Sequence, residues 1–134
     1  LAHGLFSIPA VKGVEFGDGF ALADMFGSEA NDPFAIQDGN VVTTSNHNGG
    51  INGGISNGMP VMFNTCIKPT PSISKQQKTV NFVTKQDKTL EIHGRHDPAI
   101  IHRARIVVDA ISALTVVDYL MERYGREYFK GENS

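Results

Sequence analysis

Ser45–Gly58 reads SNHNGGINGGISNG. It holds five glycines, four asparagines, two serines, one histidine and only two apolar side chains. Glycine lets the backbone take positive φ and lets another backbone or a ligand come close. Asparagine tolerates the left-handed region and bonds its own main chain. The stretch therefore offers many N–H donors with little side-chain bulk, which suits a phosphate or a planar ring. Composition alone fits a flexible linker equally well, but the ordered doublets Gly49-Gly50 and Gly53-Gly54 argue for a built loop. No GK[ST] ends the stretch and no helix-forming run follows it, so it is neither a Walker loop nor a dinucleotide fingerprint.

The strands around this loop set the fold class. Phe34–Gln37 and Val41–Thr44 flank Asp38-Gly39-Asn40, a hairpin signal. Val11–Phe16 alternates as a short strand, Gly17-Asp18-Gly19 reads as a turn, and Gly27–Pro33 is loop chemistry. Leu1–Ile8 reads as the last turns of a helix ended by Pro9. After the loop, Met59–Lys68 alternates as one strand, with Cys66 expected to be a buried small hydrophobe. Pro69 and Pro71 forbid regular structure through Ser74. Lys78–Val83 and Lys88–His93 read as paired strands turning at Gln86-Asp87. From about Ala99 to Phe129 the apolar spacing is helical, with Asp97-Pro98 as cap and first-turn proline and Gly125 as an end or kink. Glu132-Asn133-Ser134 reads as a frayed tail. The expectation is a single α+β domain over 1–134: antiparallel strands covered by a long C-terminal helix.

A chain of 134 residues, 40% hydrophobic and 19% charged, has room for one ordinary soluble domain. Its net charge of −2 gives no electrostatic reason to expect nucleic acid or an anionic membrane. No apolar run approaches a membrane span. One cysteine, Cys66, excludes an internal disulfide and fits a reducing compartment. The five histidines show no zinc spacing with Cys66, so no metal is expected.

Two clusters could carry chemistry. Arg95, His96 and Asp97 precede the long helix, where anions are favoured; the plainer reading makes Asp97 a cap and leaves the other two solvated. Lys68 with Ser72 and Ser74 could hold a phosphate; the plainer reading is a strand-end lysine and an ordinary proline loop.

SNHNGGINGGISNG, KPTPSIS at Lys68–Ser74 and GRHDP at Gly94–Pro98 occur in that order. Together they closely resemble the C-terminal signatures of chorismate synthase. SIPAVKGVEFGDGF at Ser7–Phe20, GSEAND at Gly27–Asp32 and the Arg103-Ala104 pair are similar to that family too. The resemblance covers nearly all of this chain and the last third or so of the family's usual length. It implies a β-α-β sandwich subunit of a cytoplasmic homotetramer. It also implies the 1,4-elimination of phosphate from 5-enolpyruvylshikimate 3-phosphate with reduced FMN, giving chorismate. Gly54 would lie against the flavin. Lys68, Ser72 and Ser74 would hold FMN, Lys68 at its phosphate end. Arg95 would face substrate and flavin, and Asp97 would assist proton removal beside the flavin. The family's two catalytic histidines and most of its substrate arginines belong to the part not represented here. The alternative is therefore an inactive flavin-site scaffold or assembly domain. Three positions depart from the family: Pro9 where an asparagine that touches flavin is common, and Asn48 and Asn52 where small or apolar residues are frequent.

Overall fold

The computed structural model describes residues 1–130; the tail Glu132-Asn133-Ser134 lies outside the described residues. The chain forms two compact units, Leu1–Ile67 and Lys68–Ser134.

In the first unit, α1 (Ala2–Phe6) is followed by β1 (Val11–Phe16). Leu5, Ile8 and Val11 are its buried apolar side chains, each contributing about 1.5–3 kcal/mol by leaving water. Pro9 stands in the turn that closes when Val11 N–H donates to the Ile8 carbonyl at 3.2 Å. Ala10 follows at φ +70°, the left-handed geometry of a type II turn with proline first. The residue that departs from the family is thus the one this turn prefers.

A 3-10 helix, Gly19–Asp24, leads to the hairpin of β2 (Phe34–Gln37) and β3 (Asn40–Thr43). Asp38 and Gly39 take φ +51° and +78°, the two positive angles of a type I′ turn. β4 (Ile51–Asn52) pairs with β5 (Ile55–Ser56) across Gly53-Gly54. β6 (Phe63–Ile67) returns antiparallel to β1, with Phe63 opposite Phe16 and Cys66 opposite Gly13.

Two expectations fail at β6. The strand begins at Phe63, not Met59. Pro60 has no N–H, its carbonyl accepts from Asn46 Nδ2 at 2.9 Å, and the Met59 N–H is taken by Asn57 Oδ1 at 3.0 Å. The backbone before Phe63 therefore serves the glycine-rich loop instead of a ladder. Cys66 is exposed, not buried, because it lies on the outward face of a two-stranded sheet.

The second unit holds β7 (Gln77–Asn81), β8 (Gln86–Leu90) and α2 (Ile101–Tyr124), ending in a 3-10 turn, Arg126–Phe129. The hairpin turns earlier than its sequence suggests. Asn81 Oδ1 accepts the Val83 and Thr84 N–H groups at 2.9 and 3.0 Å, and Lys85 sits at φ +55°. Phe82 and Val83 are consequently turn residues, and Gln86-Asp87 belongs to β8. α2 starts three residues after Pro98, with Ile100 at its N-cap position and no side-chain cap bond. Asp97 is therefore not the cap, since its carboxylate is paired with Arg103 Nη1 at 3.2 Å. Gly125 does end the helix, at φ +71°.

α2 is apolar on more than one side. Exposed Ile101 and Tyr119, five turns apart, share one line along it. Exposed Ile106, Val117 and Tyr124 share another, roughly a third of the circumference or more away. Such a helix is built for cover on several faces. No helix among the described residues is long and apolar enough to cross a membrane. The whole is a mixed fold of antiparallel strand pairs and one long helix, the α+β class expected.

Candidate functional site

The glycine-rich loop is tied down from outside itself. Asp32, 6% exposed, accepts four hydrogen bonds. They come from Ser45 Oγ at 2.7 Å, His47 N at 2.8 Å, Asn48 N at 2.9 Å and Asn48 Nδ2 at 2.8 Å. Burial alone would raise its carboxyl pKa, but these four donors together outweigh that and lower it to about 2. Asn46 braces the next segment: its Oδ1 accepts the Gly50 N–H at 2.7 Å while its Nδ2 donates to Pro60 O. His47 Nδ1 lies 2.5 Å from Asp18 Oδ2. That hydrogen bond, helped by the nearby charges of Asp18 and Asp32 and opposed by desolvation, holds the imidazole pKa above 6.5.

The glycines of this loop are needed for two different reasons. A Cβ at Gly49 would collide with the Gly17 nitrogen and the Met62 carbonyl oxygen, and one at Gly50 with the Pro60 carbonyl oxygen. Gly53 and Gly54, at φ +57° and +81°, need only the left-handed backbone; nothing stands within 4 Å of where their Cβ atoms would be. Asn57 Nδ2 bridges to Asn52 Oδ1 at 2.8 Å across this hairpin. The turn carrying Gly54 thus offers an open backbone edge on a braced stem. Asn48 and Asn52, the departures from the family pattern, each brace it.

In the second unit, Lys68 and Arg95 are exposed, and neither meets a carboxylate within 4 Å among the described residues. In the loop between Lys68 and Ser72, the Thr70 Oγ1 is buried without a hydrogen-bond partner among the described residues. Ser72 and His96 are brought together, Oγ to Nδ1 at 3.2 Å. The other ring nitrogen, Nε2, lies 3.1 Å from the Ile92 carbonyl. A carbonyl can only accept, so Nε2 carries a hydrogen and, in the neutral ring, Nδ1 accepts from the Ser72 hydroxyl. His96 is therefore no solvated bystander: it ties the Lys68–Ser74 loop to the Arg95–Asp97 loop. Ser74 is exposed and has no hydrogen bond among the described residues.

Sequence reasoning missed Asp32 and Thr70, and it placed His96 beside Arg95 and Asp97 without its tie to Ser72. Asp32 had one available signal. A stretch with surplus N–H donors and no acidic residue of its own needs an outside acceptor, and GSEANDP supplies one. Thr70 and the Ser72–His96 contact gave no comparable signal.

The first unit thus carries a glycine-rich hairpin on a braced stem, and the second a proline-punctuated loop tied to the run before α2, in a protein of the α+β class. Residues 1–121 match the family described as chorismate synthase, and the chain belongs to that family. The chorismate synthase of Dehalococcoides mccartyi is 53% identical over 118 residues, covering 88% of this chain and 32% of its own. That of Thermococcus kodakarensis is 48% identical over 123 residues, covering 92% and 35%. A crystal structure of chorismate synthase superposes with a TM-score of 0.70 at 31% identity, over 92% of this chain and 30% of the other. The chain spans about a third of the length of the curated relatives it matches.

Proposed function

We propose that this chain is the C-terminal portion of a chorismate synthase, a lyase that converts 5-enolpyruvylshikimate 3-phosphate to chorismate and phosphate. The reaction breaks the carbon–oxygen bond to phosphate and a ring carbon–hydrogen bond in a 1,4-elimination. The observation that carries the reading is the Thr70 hydroxyl, which is buried without a partner among the described residues, in the loop that runs from Lys68 to Ser74. An orphaned buried hydroxyl costs about 1–3 kcal/mol, a cost that a ligand oxygen would remove.

The residues fit reduced FMN. Lys68, which meets no carboxylate among the described residues, suits a phosphate as a point charge. The same loop carries the hydroxyls of Thr70, Ser72 and Ser74, and Gly54 would supply an edge that a ring can approach. Reduced FMN, when bound, would lend electron density to the substrate as its carbon–oxygen bond breaks and regain it as the ring carbon–hydrogen bond breaks, leaving the reaction redox-neutral. Arg95 would neutralise charge on the leaving phosphate and orient the substrate. The Asp97 carboxylate would take up the proton, with Arg103 fixing its direction. The many-sided apolar surface of α2 supports a helix layered between sheets, as in a β-α-β sandwich, in a cytoplasmic homotetramer. The 134 residues alone, without the rest of the pocket, are expected to show no turnover.

The test is FMN titration of the full-length protein, followed by flavin absorption. Lys68→Ala should weaken FMN by about 1.5–3 kcal/mol, the range for a charge-assisted hydrogen bond. Affinity equal to wild type would remove Lys68 from the site.

A further inference from the structure

We infer that Asp32 is a positioning residue for the cofactor: it fixes the hairpin turn at Gly53-Gly54 on which the flavin ring rests. This rests on the flavin reading above. Asp32 touches no part of the proposed pocket itself. Its side chain is buried and spends both oxygens on one short segment, Oδ1 on Ser45 Oγ and His47 N, Oδ2 on the backbone and side chain of Asn48. Those residues lead directly into Gly49 and Gly50, where the backbone is wedged against Gly17, Met62 and Pro60. From that wedge the chain runs straight into β4 and the open turn. Beyond the wedge, the bonds that hold the turn are the short ladder of β4 with β5, the Asn57 N–H to the Gly50 carbonyl at 3.0 Å and the Asn57–Asn52 bridge. The direction in which the turn projects is therefore set at its root, and the root is set by Asp32.

A carboxylate is required there. All four partners are donors, and a carboxylate is the side chain that only accepts. An asparagine would turn an NH2 group toward two of them, whichever way its amide faced.

The experiment is an FMN titration of full-length Asp32→Asn beside Lys68→Ala, with thermal melting and the absorption spectrum of bound flavin recorded for each. Asp32→Asn should raise the FMN dissociation constant at least tenfold and shift the bound-flavin spectrum toward that of free flavin. A lower melting temperature with unchanged FMN affinity and unchanged spectrum makes Asp32 a stability residue only and overturns the inference. If Asp32→Asn does not fold, the double variant Ser45→Ala/Asn48→Ala decides. It removes two of the four donors and leaves the carboxylate and the backbone bonds. A dissociation constant raised about threefold supports the inference; an unchanged one overturns it. Lys68→Ala separates the two ideas. If it weakens FMN while the loop variants do not, the flavin reading stands and the positioning role falls. If neither change alters FMN binding, the flavin reading falls with it.

Discussion

Gly49-Gly50 and Gly53-Gly54 are the same dipeptide, four residues apart, with all four φ angles positive. Their surroundings are opposite. The first pair is packed so tightly against neighbouring backbone that no side chain fits; the second stands in open space. One pair fixes where the loop is, and the other leaves an edge for something else to approach. The contrast extends to the second unit. The first pair is served by Asp32 and Asn46, whose side chains make six hydrogen bonds between them. Among the described residues, the Lys68–Ser74 loop keeps one lysine without a carboxylate and one buried hydroxyl without a partner. Groups already satisfied within the chain position; groups left unsatisfied are those a ligand can use.

The sharpest way to break the comparison is to put a methyl group on each pair. Gly49→Ala carries the left-handed cost of roughly 1–2 kcal/mol and a collision with backbone atoms that no rotamer change relieves. The total should be about 3 kcal/mol or more, enough to unfold a marginal domain. Gly53→Ala carries the backbone cost alone, about 1 kcal/mol. Urea melts of both variants in the full-length protein measure the difference. Equal losses would mean that the wedge at Gly17 and Met62 is soft.

Asp97→Asn sharpens the second half. Asp97 is not a helix cap, and its contact with Arg103 is a half-exposed ion pair, worth about 0–1 kcal/mol. Stability should therefore stay within about 1 kcal/mol of wild type. Turnover should fall about 10²-fold or more, because asparagine has no carboxylate to take up a proton. Stopped-flow turnover and thermal melting on one preparation give both numbers. Near wild-type turnover would leave Asp97 with the Arg103 contact and no chemistry.

The same division explains what could be read from the residues alone. The hairpin at Asp38-Gly39, the strand Val11–Phe16 and the long helix ending at Gly125 follow from local rules, and all three stand in the fold. Three of the failures share a cause: another side chain captured polar groups that the local pattern assigned elsewhere. Asn46 and Asn57 took the polar groups before Phe63, so β6 begins late. Asn81 captured two N–H groups, so the next hairpin turned early. Arg103 took Asp97 away from the helix start. Cys66 alternates correctly but faces outward, because alternation does not say which face another layer covers. In the candidate site, the motif residues were visible as residue types, whereas Asp32 and His96 act through contacts 13–16 and 24 residues away in sequence.

The smallest expected effect lies at the outer edge of the braced region, where His47 meets Asp18. The two side chains are 28% and 38% exposed, so solvent weakens their attraction. The hydrogen bond to Asp18 raises the imidazole pKa above its ordinary 6.5. A raised pKa means that the folded state holds the proton more tightly than the unfolded state does. The contribution is therefore complete below about pH 6.5 and fades as pH rises through the folded-state value. The contact itself survives deprotonation if Nδ1 keeps its hydrogen; only the charge is lost. Melting midpoints from about pH 5.5 to about pH 8.5 should thus fall slightly in wild type. His47→Gln, which cannot titrate, should flatten that slope, and Asp18→Asn should flatten it by removing the partner. Both should leave the Asp32 bonds to the backbone N–H groups of His47 and Asn48 intact, so FMN affinity of the full-length protein should not follow the slope. If FMN affinity did follow it, the Asp18–His47 pair would belong to the root of the hairpin together with Asp32, and the braced region would extend one layer further than the four carboxylate bonds define.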